Sequence, residues 1–222
     1  MSLFAAVAQR NLALVQELIN AGADVNQADP IGDTPLMNAS ENGLIEIAKV
    51  LIAAGADINK RDVYGFTALI YASKYGHLST VQLLVSKGAD INMHEVHGNT
   101  ALMFVCFVGF LSIVQFLVSK GADINVVNDV GITALDIATR LGHTEIINFL
   151  TKVKNRGYLQ DFQRVSRTAR RTVRSRQGQL ETLTPLDPDV SRLIAQMSLN
   201  SFGKKKRMSH GLNGEIRYLR SL

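Results

Sequence analysis

A single cysteine, Cys106, occurs in the 222-residue chain, which excludes an intramolecular disulfide. A reducing, intracellular and cytoplasmic setting is the matching expectation. The first residues, Met1-Ser2-Leu3-Phe4, lack the basic segment and the long apolar stretch of a secretory leader. Glycines are spread at wide, regular intervals, so no phosphate-cradling loop is present. The zinc-protease pattern HExxH is missing as well. Its nearest approach is His94-Glu95-Val96-His97, whose histidines are too weakly placed to argue for a metal. Cys106 lies between Val105 and Phe107 with no basic neighbour to lower its pKa, and it reads as an inert thiol. These absences leave no catalytic residue, metal, cofactor or small-molecule substrate to assign, and the expectation is a protein that is not an enzyme.

What is abundant is apolar: hydrophobic residues make up 46% of the chain, enough for a folded core. One stretch, residues 101–118 (ALMFVCFVGFLSIVQFLV), carries no charge and approaches the minimum for a membrane span. Gly109, Ser112 and Gln115 interrupt it, and it falls in register with a repeat that is polar elsewhere, so a pair of soluble helices is expected instead.

Charge is divided along the chain. Residues 1–152 hold 9 Lys+Arg against 14 Asp+Glu, and residues 153–222 hold 15 against 5. An acidic body and a basic tail imply two parts with different partners.

Self-comparison sets the architecture. Asp29, Asp62, Glu95 and Asn128 are 33 residues apart, as are Gly32, Gly65, Gly98 and Gly131. Thr34, Thr67, Thr100 and Thr133 form a third column, and Leu18, Leu51, Leu84, Leu117 and Leu150 a fourth. GADVN at 22–26 returns as GADIN at 55–59, 88–92 and 121–125. Each column has a physical reading. The threonines are helix N-caps. Pro35 follows one of them at the position where a missing N–H costs nothing. Leu36 and Ala39, Leu69 and Ala72, and Leu135 and Ala138 put two apolar residues on one helix face. Gly43, Gly76, Gly109 and Gly142 break the chain between helices, and Gly55 and its equivalents end the second helix. Asp-x-x-Gly then turns the chain into the next repeat.

At these residues the sequence resembles the ankyrin-repeat family over residues 2–152. The resemblance implies an all-α solenoid of helix pairs with short projecting β-hairpins and a concave binding face. Its repeats would be 2–28, 29–61, 62–94, 95–127 and 128–152, the first lacking its hairpin and the last acting as a cap. It also makes the Gly-His pairs at His77 and His143 structural. The chain departs from the family mildly, with Met37, Ile70, Met103 and Asp136 at the usual histidine position and Val105 in place of a small alanine.

Such a fold binds partners through hairpin tips and the exposed side of the first helices. In this register Tyr64, Phe66, Tyr75, His97, Phe107, Val108, Ile132 and Leu141 are the candidate contact residues. An apolar, aromatic stripe of this kind marks a protein partner or is covered by the chain's own tail.

In the tail, Tyr158, Phe162, Val165, Ala169 and Val173 recur at steps of three or four. They predict an amphipathic capping helix within 153–178, with Arg164, Arg167, Arg170, Arg171 and Arg174 on its other face. Residues 179–222 read as linker and tail, with a short helix near 188–199 begun by Asp187 and Pro188. Lys204, Lys205, Lys206 and Arg207 resemble a nuclear-import cluster, which adds the nucleus to the compartments open to the chain. The leading reading is an adaptor that binds another protein. Its rival is a protein that works through the basic tail on an acidic protein, nucleic acid or anionic membrane.

Overall fold

The computed structural model describes residues 2–157. Its helices come in pairs: α1 (Leu3–Ala8) and α2 (Leu12–Asn20), α3 (Pro35–Glu41) and α4 (Ile45–Ala53), α5 (Ala68–Lys74) and α6 (Leu78–Ser86), α7 (Ala101–Val108) and α8 (Leu111–Ser119). The last pair is α9 (Ala134–Leu141) and α10 over residues 144–157. The uncharged run at 101–118 is thus two short helices broken at Gly109, which has φ 94°. Among the described residues no helix is long and apolar enough to cross a membrane.

The first helices start where the threonine column places them. The hydroxyls of Thr34, Thr67, Thr100 and Thr133 accept from the backbone N–H three residues on, at 3.2, 3.3, 3.4 and 3.2 Å. Each threonine satisfies one of the orphan donors at a helix N-terminus. At the last repeat Asp136 returns the bond, accepting from the Thr133 N–H at 2.9 Å and so completing a reciprocal cap.

Helices α1, α3, α5, α7 and α9 pack side by side in one row, and α2, α4, α6 and α8 form a second row behind them. Between the rows lies one continuous core. Leu51, Leu84, Leu117 and Leu150 are all buried within it, as are Ala39, Ala72, Val105 and Ala138. Val105 is accommodated at the alanine position without breaking α7. Burial of a leucine from every repeat against its neighbours makes stability a property of the stack, not of any one pair.

Polar bonds join successive repeats. Asn26 donates to the Gly55 carbonyl at 3.2 Å and accepts from the Asp57 N–H at 2.8 Å. Asn59 does the same with Gly88 and Asp90, at 3.3 and 2.8 Å. The asparagine of GADVN and GADIN is therefore a bracket between repeats. A second link uses the Gly-His pairs. His77 Nε2 is 2.8 Å from the Glu41 carbonyl oxygen, and a Cβ on Gly43 would stand only 2.6 Å from His77 Nδ1. His143 repeats the arrangement with Phe107 O at 3.2 Å, and Phe110 fills the same space beside Gly76. Both histidines contact backbone carbonyls of the preceding repeat, in keeping with the structural role that the ankyrin resemblance implies for them.

The projecting segments differ from the expected β-hairpins. Among the described residues there is no strand, only a single antiparallel bridge between His94 and Thr100. The segments are tight turns built on the acidic column. Asp62 Oδ1 accepts from the N–H groups of Tyr64 and Phe66 at 2.9 and 2.7 Å, and Asp29 and Glu95 act likewise in their own turns. One backbone bond links each turn to the next: Val63 N–H to Ile31 O at 3.0 Å, Val96 to Tyr64 at 2.9 Å, and Asp129 to His97 at 3.0 Å. A turn tied by side-chain carboxylates needs no ladder to hold its shape.

The tail assignments fall almost wholly outside the described residues. This applies to Arg164, Arg167, Arg170, Arg171, Arg174, Lys204, Lys205, Lys206 and Arg207, and to the short helix near 188–199. Of the segment 153–178, only 153–157 is described, and it continues α10.

Candidate protein-binding face

The turn tips and the outer side of the first-helix row form one surface. Tyr64 is 54% exposed at one tip, and Val63, Val96 and Val130 are exposed on successive tips. Along the helices, Tyr75, Phe107, Val108 and Leu141 are exposed, Phe107 at 61%. His97 is exposed as well. Phe66 and Ile132 differ from the exposed placement read from the sequence, for both are half-buried and contribute one edge to the surface.

The burial of Phe66 has a cause that column-by-column reading misses. Its ring packs against Tyr71 (centroids 5.2 Å) and Phe104 (5.4 Å), in tilted geometry. The three rings span two repeats and form an aromatic floor between α5 and α7. Lys74 Nζ stands 5.3 Å from the Phe66 centroid and 5.2 Å from that of Tyr75, so these ring faces already attract a cation. Tyr71 and Phe104 share a column with Asn38 and Ile137. That variable column, in an otherwise regular repeat, is the signal that would have found them.

Acidic groups gather at one side of this floor. The Tyr71 hydroxyl donates to Asp62 Oδ2 at 2.9 Å. Asp33 lies nearby, and its Oδ1 is buried with no hydrogen-bond partner among the described residues. The Tyr71 hydroxyl is bonded to Asp62 and, being close to Asp33 as well, exerts only a smaller opposing pull on the Asp33 carboxyl. Burial, then repulsion from Asp62 and Asp29, pushes the Asp33 carboxyl up to about 6. The Tyr71 phenol is raised by burial and by its bond to Asp62, and Tyr75 is raised by burial and by a hydrogen bond to Glu41.

Nothing in this arrangement activates a nucleophile. Cys106 is fully buried, and burial pushes its thiol up to about 12. It occupies the slot that Ser40 and Ser73 fill in the preceding repeats, a packing position below the surface. Among the described residues no group of three histidine, cysteine or acidic side chains is placed to hold a metal ion.

A family model for ankyrin repeats (3 copies) matches residues 3–95 and again residues 90–161. The chain belongs to the ankyrin-repeat family. Ankyrin repeats are protein–protein interaction modules, and they are typically without enzymatic activity. No curated protein matches the chain.

Proposed function

We propose that this protein is a non-enzymatic adaptor that binds another protein through the concave face and turn tips of its repeats. Tyr64, Phe66, Tyr75, His97, Phe107, Val108, Ile132 and Leu141 are the contact residues. One observation carries the reading: large apolar side chains stand exposed at matching positions of successive repeats, where the repeat itself needs nothing apolar. Contiguous apolar surface of this kind marks a partner site. Exposed aromatics on a rigid helical row lose little conformational freedom on binding, which favours them as anchors.

The rival reading, a nucleic-acid- or membrane-associated protein working through its basic tail, makes a different demand on salt. The test is an affinity capture with the full chain, with Tyr75→Ala/Phe107→Ala, and with a chain whose Lys204, Lys205, Lys206 and Arg207 are changed to Gln. Capture that survives raised salt and tail neutralisation but is lost in the aromatic variant supports the adaptor. Capture that disappears with salt and with the tail charges supports the rival.

A further inference from the structure

Arg10 carries a side chain where the backbone favours glycine. Its φ is 56°, and every other positive φ among the described residues belongs to a glycine. It stands 33 residues before Gly43, in the column continued by Gly76, Gly109 and Gly142. The turn between the two helices of a repeat needs this left-handed residue, and glycine supplies it without the clash that a Cβ makes with the neighbouring carbonyl.

Two constraints hold this column to glycine inside the stack, and only one of them reaches Arg10. A Cβ on Gly43, Gly76 or Gly109 would lie 2.6, 2.5 or 2.7 Å from the ring of His77, Phe110 or His143. The matching residue for Arg10 is Leu44, which has no ring and packs against the core. The first repeat therefore lacks the ring that crowds the later glycines, but its backbone still disfavours a side chain. Strain of this kind persists where something else depends on the strained residue.

Within the fold Arg10 does little. It is exposed, and its guanidinium donates to Asn42 Oδ1 at 3.4 Å, which is long for such a bond. The one ion pair among the described residues is Lys49–Glu46, so no carboxylate described here is paired with Arg10. Five donors in a planar fork suit a carboxylate far better than a single amide oxygen. The place of the contact is informative. Asn42 heads the column continued by the exposed Tyr75, Val108 and Leu141. The guanidinium thus stands at the head of the apolar stripe. Lys74, over the Phe66 and Tyr75 rings, adds a second cation to the same part of the face and is likewise in no ion pair among the described residues. Glu41, on the helix between them, accepts from the Tyr75 hydroxyl.

Resting on the adaptor reading above, we infer that Arg10 is a contact residue that receives an aspartate or glutamate carboxylate of the partner, with an apolar residue of the same segment seated on Tyr75. Neighbouring helices in such a row are about 8–10 Å apart. Extended chain covers about 3.3 Å per residue, so the two partner residues are about three apart. Stability and binding then oppose each other at one side chain, and substitution separates them.

The test compares the full chain with Arg10→Gly and Arg10→Ala. Arg10→Gly relieves the left-handed strain and should raise the thermal midpoint by about 2–4 °C. Arg10→Ala keeps the strain and should leave the midpoint lower than that of Arg10→Gly. The binding probe is a displayed library of random dodecapeptides, selected on the full chain. The expected motif has Asp or Glu about three residues from an aromatic or aliphatic one. A synthetic peptide carrying it should bind both Arg10 variants about ten- to a hundredfold more weakly, the scale of a charge-assisted contact. A midpoint that falls in Arg10→Gly overturns the inference and assigns Arg10 to the joint between the first two repeats. Peptides that require Phe107 but bind the Arg10 variants as well as the parent overturn it too and leave the adaptor reading standing. Peptides indifferent to Phe107→Ala and to both Arg10 variants, or a library that yields no binder, count against both.

Discussion

The hydroxyl of Tyr71 donates to Asp62 Oδ2 at 2.9 Å, tying the first helix of a repeat to the turn that leads into it. The same carboxylate holds the turn through two backbone N–H groups. A residue of the aromatic floor and a turn residue are thereby one unit. Tyr71→Phe removes the donor while keeping the ring that packs on Phe66. It is expected to destabilise the protein by about 0.5–1.5 kcal/mol, the net worth of one such bond. Urea unfolding of the two chains measures it, and an unchanged midpoint would show that the bond contributes nothing.

Asp33 gives a pH dependence with a definite sign. Its carboxyl is raised from 3.8 to about 6 in the folded protein, so between these values the native state holds a proton that the unfolded chain has released. Stability from this group is therefore present at low pH and is lost as pH rises through about 6. Asp33→Asn should remove that loss. Denaturant titrations at intervals from acid to neutral pH should show the difference between variant and parent growing in the variant's favour as pH rises. Asp136, lowered by its bonds to Thr133, works in the opposite sense and is common to both chains.

Two glycine substitutions separate conformational strain from crowding. Gly55 has φ 93° with open space around its missing Cβ, whereas Gly76 has φ 80° and a Cβ there would lie 2.5 Å from the Phe110 ring. Gly55→Ala should cost about 1–2 kcal/mol from the left-handed backbone alone. Gly76→Ala carries that cost and an overpacking term of about 1–3 kcal/mol besides. Equal losses in thermal or chemical unfolding would mean that the ring of Phe110 moves aside freely.

The core and the thiol provide further checks. Leu84 is fully buried between the helix rows, and Leu84→Ala should destabilise by about 2–5 kcal/mol. Cys106 should label with thiol reagents only as fast as the protein opens, because its thiol is both inaccessible and raised to about 12. Labelling at the rate of a free peptide would reopen the question of reactivity.

Much of the fold was legible because a 33-residue period shows the same residue in the same environment again and again. Thr34 and its equivalents read as caps, Leu84 as core and Gly55 as a helix stop, and each is so in the structure. The form of the turns was less legible. Asp-x-x-Gly signals a reversal, but whether strands flank it depends on contacts between repeats that the period does not describe. The candidate face was only half legible for a related reason. Comparing a column with itself finds Tyr75 and Phe107 but not the packing of Phe66 on Tyr71 and Phe104, which crosses columns and repeats. The burial of Asp33 Oδ1 belongs to the same class, since it depends on neighbours contributed by the following repeat.

Hydrogen exchange of the full chain, free and with its captured protein partner, tests the central claim most directly. The account predicts slowed exchange in the turns and first helices, over residues 62–75, 95–108 and 128–141, with little change in the outer helices α4, α6 and α8. Protection confined to the outer helices, or to residues 158–222, would contradict it.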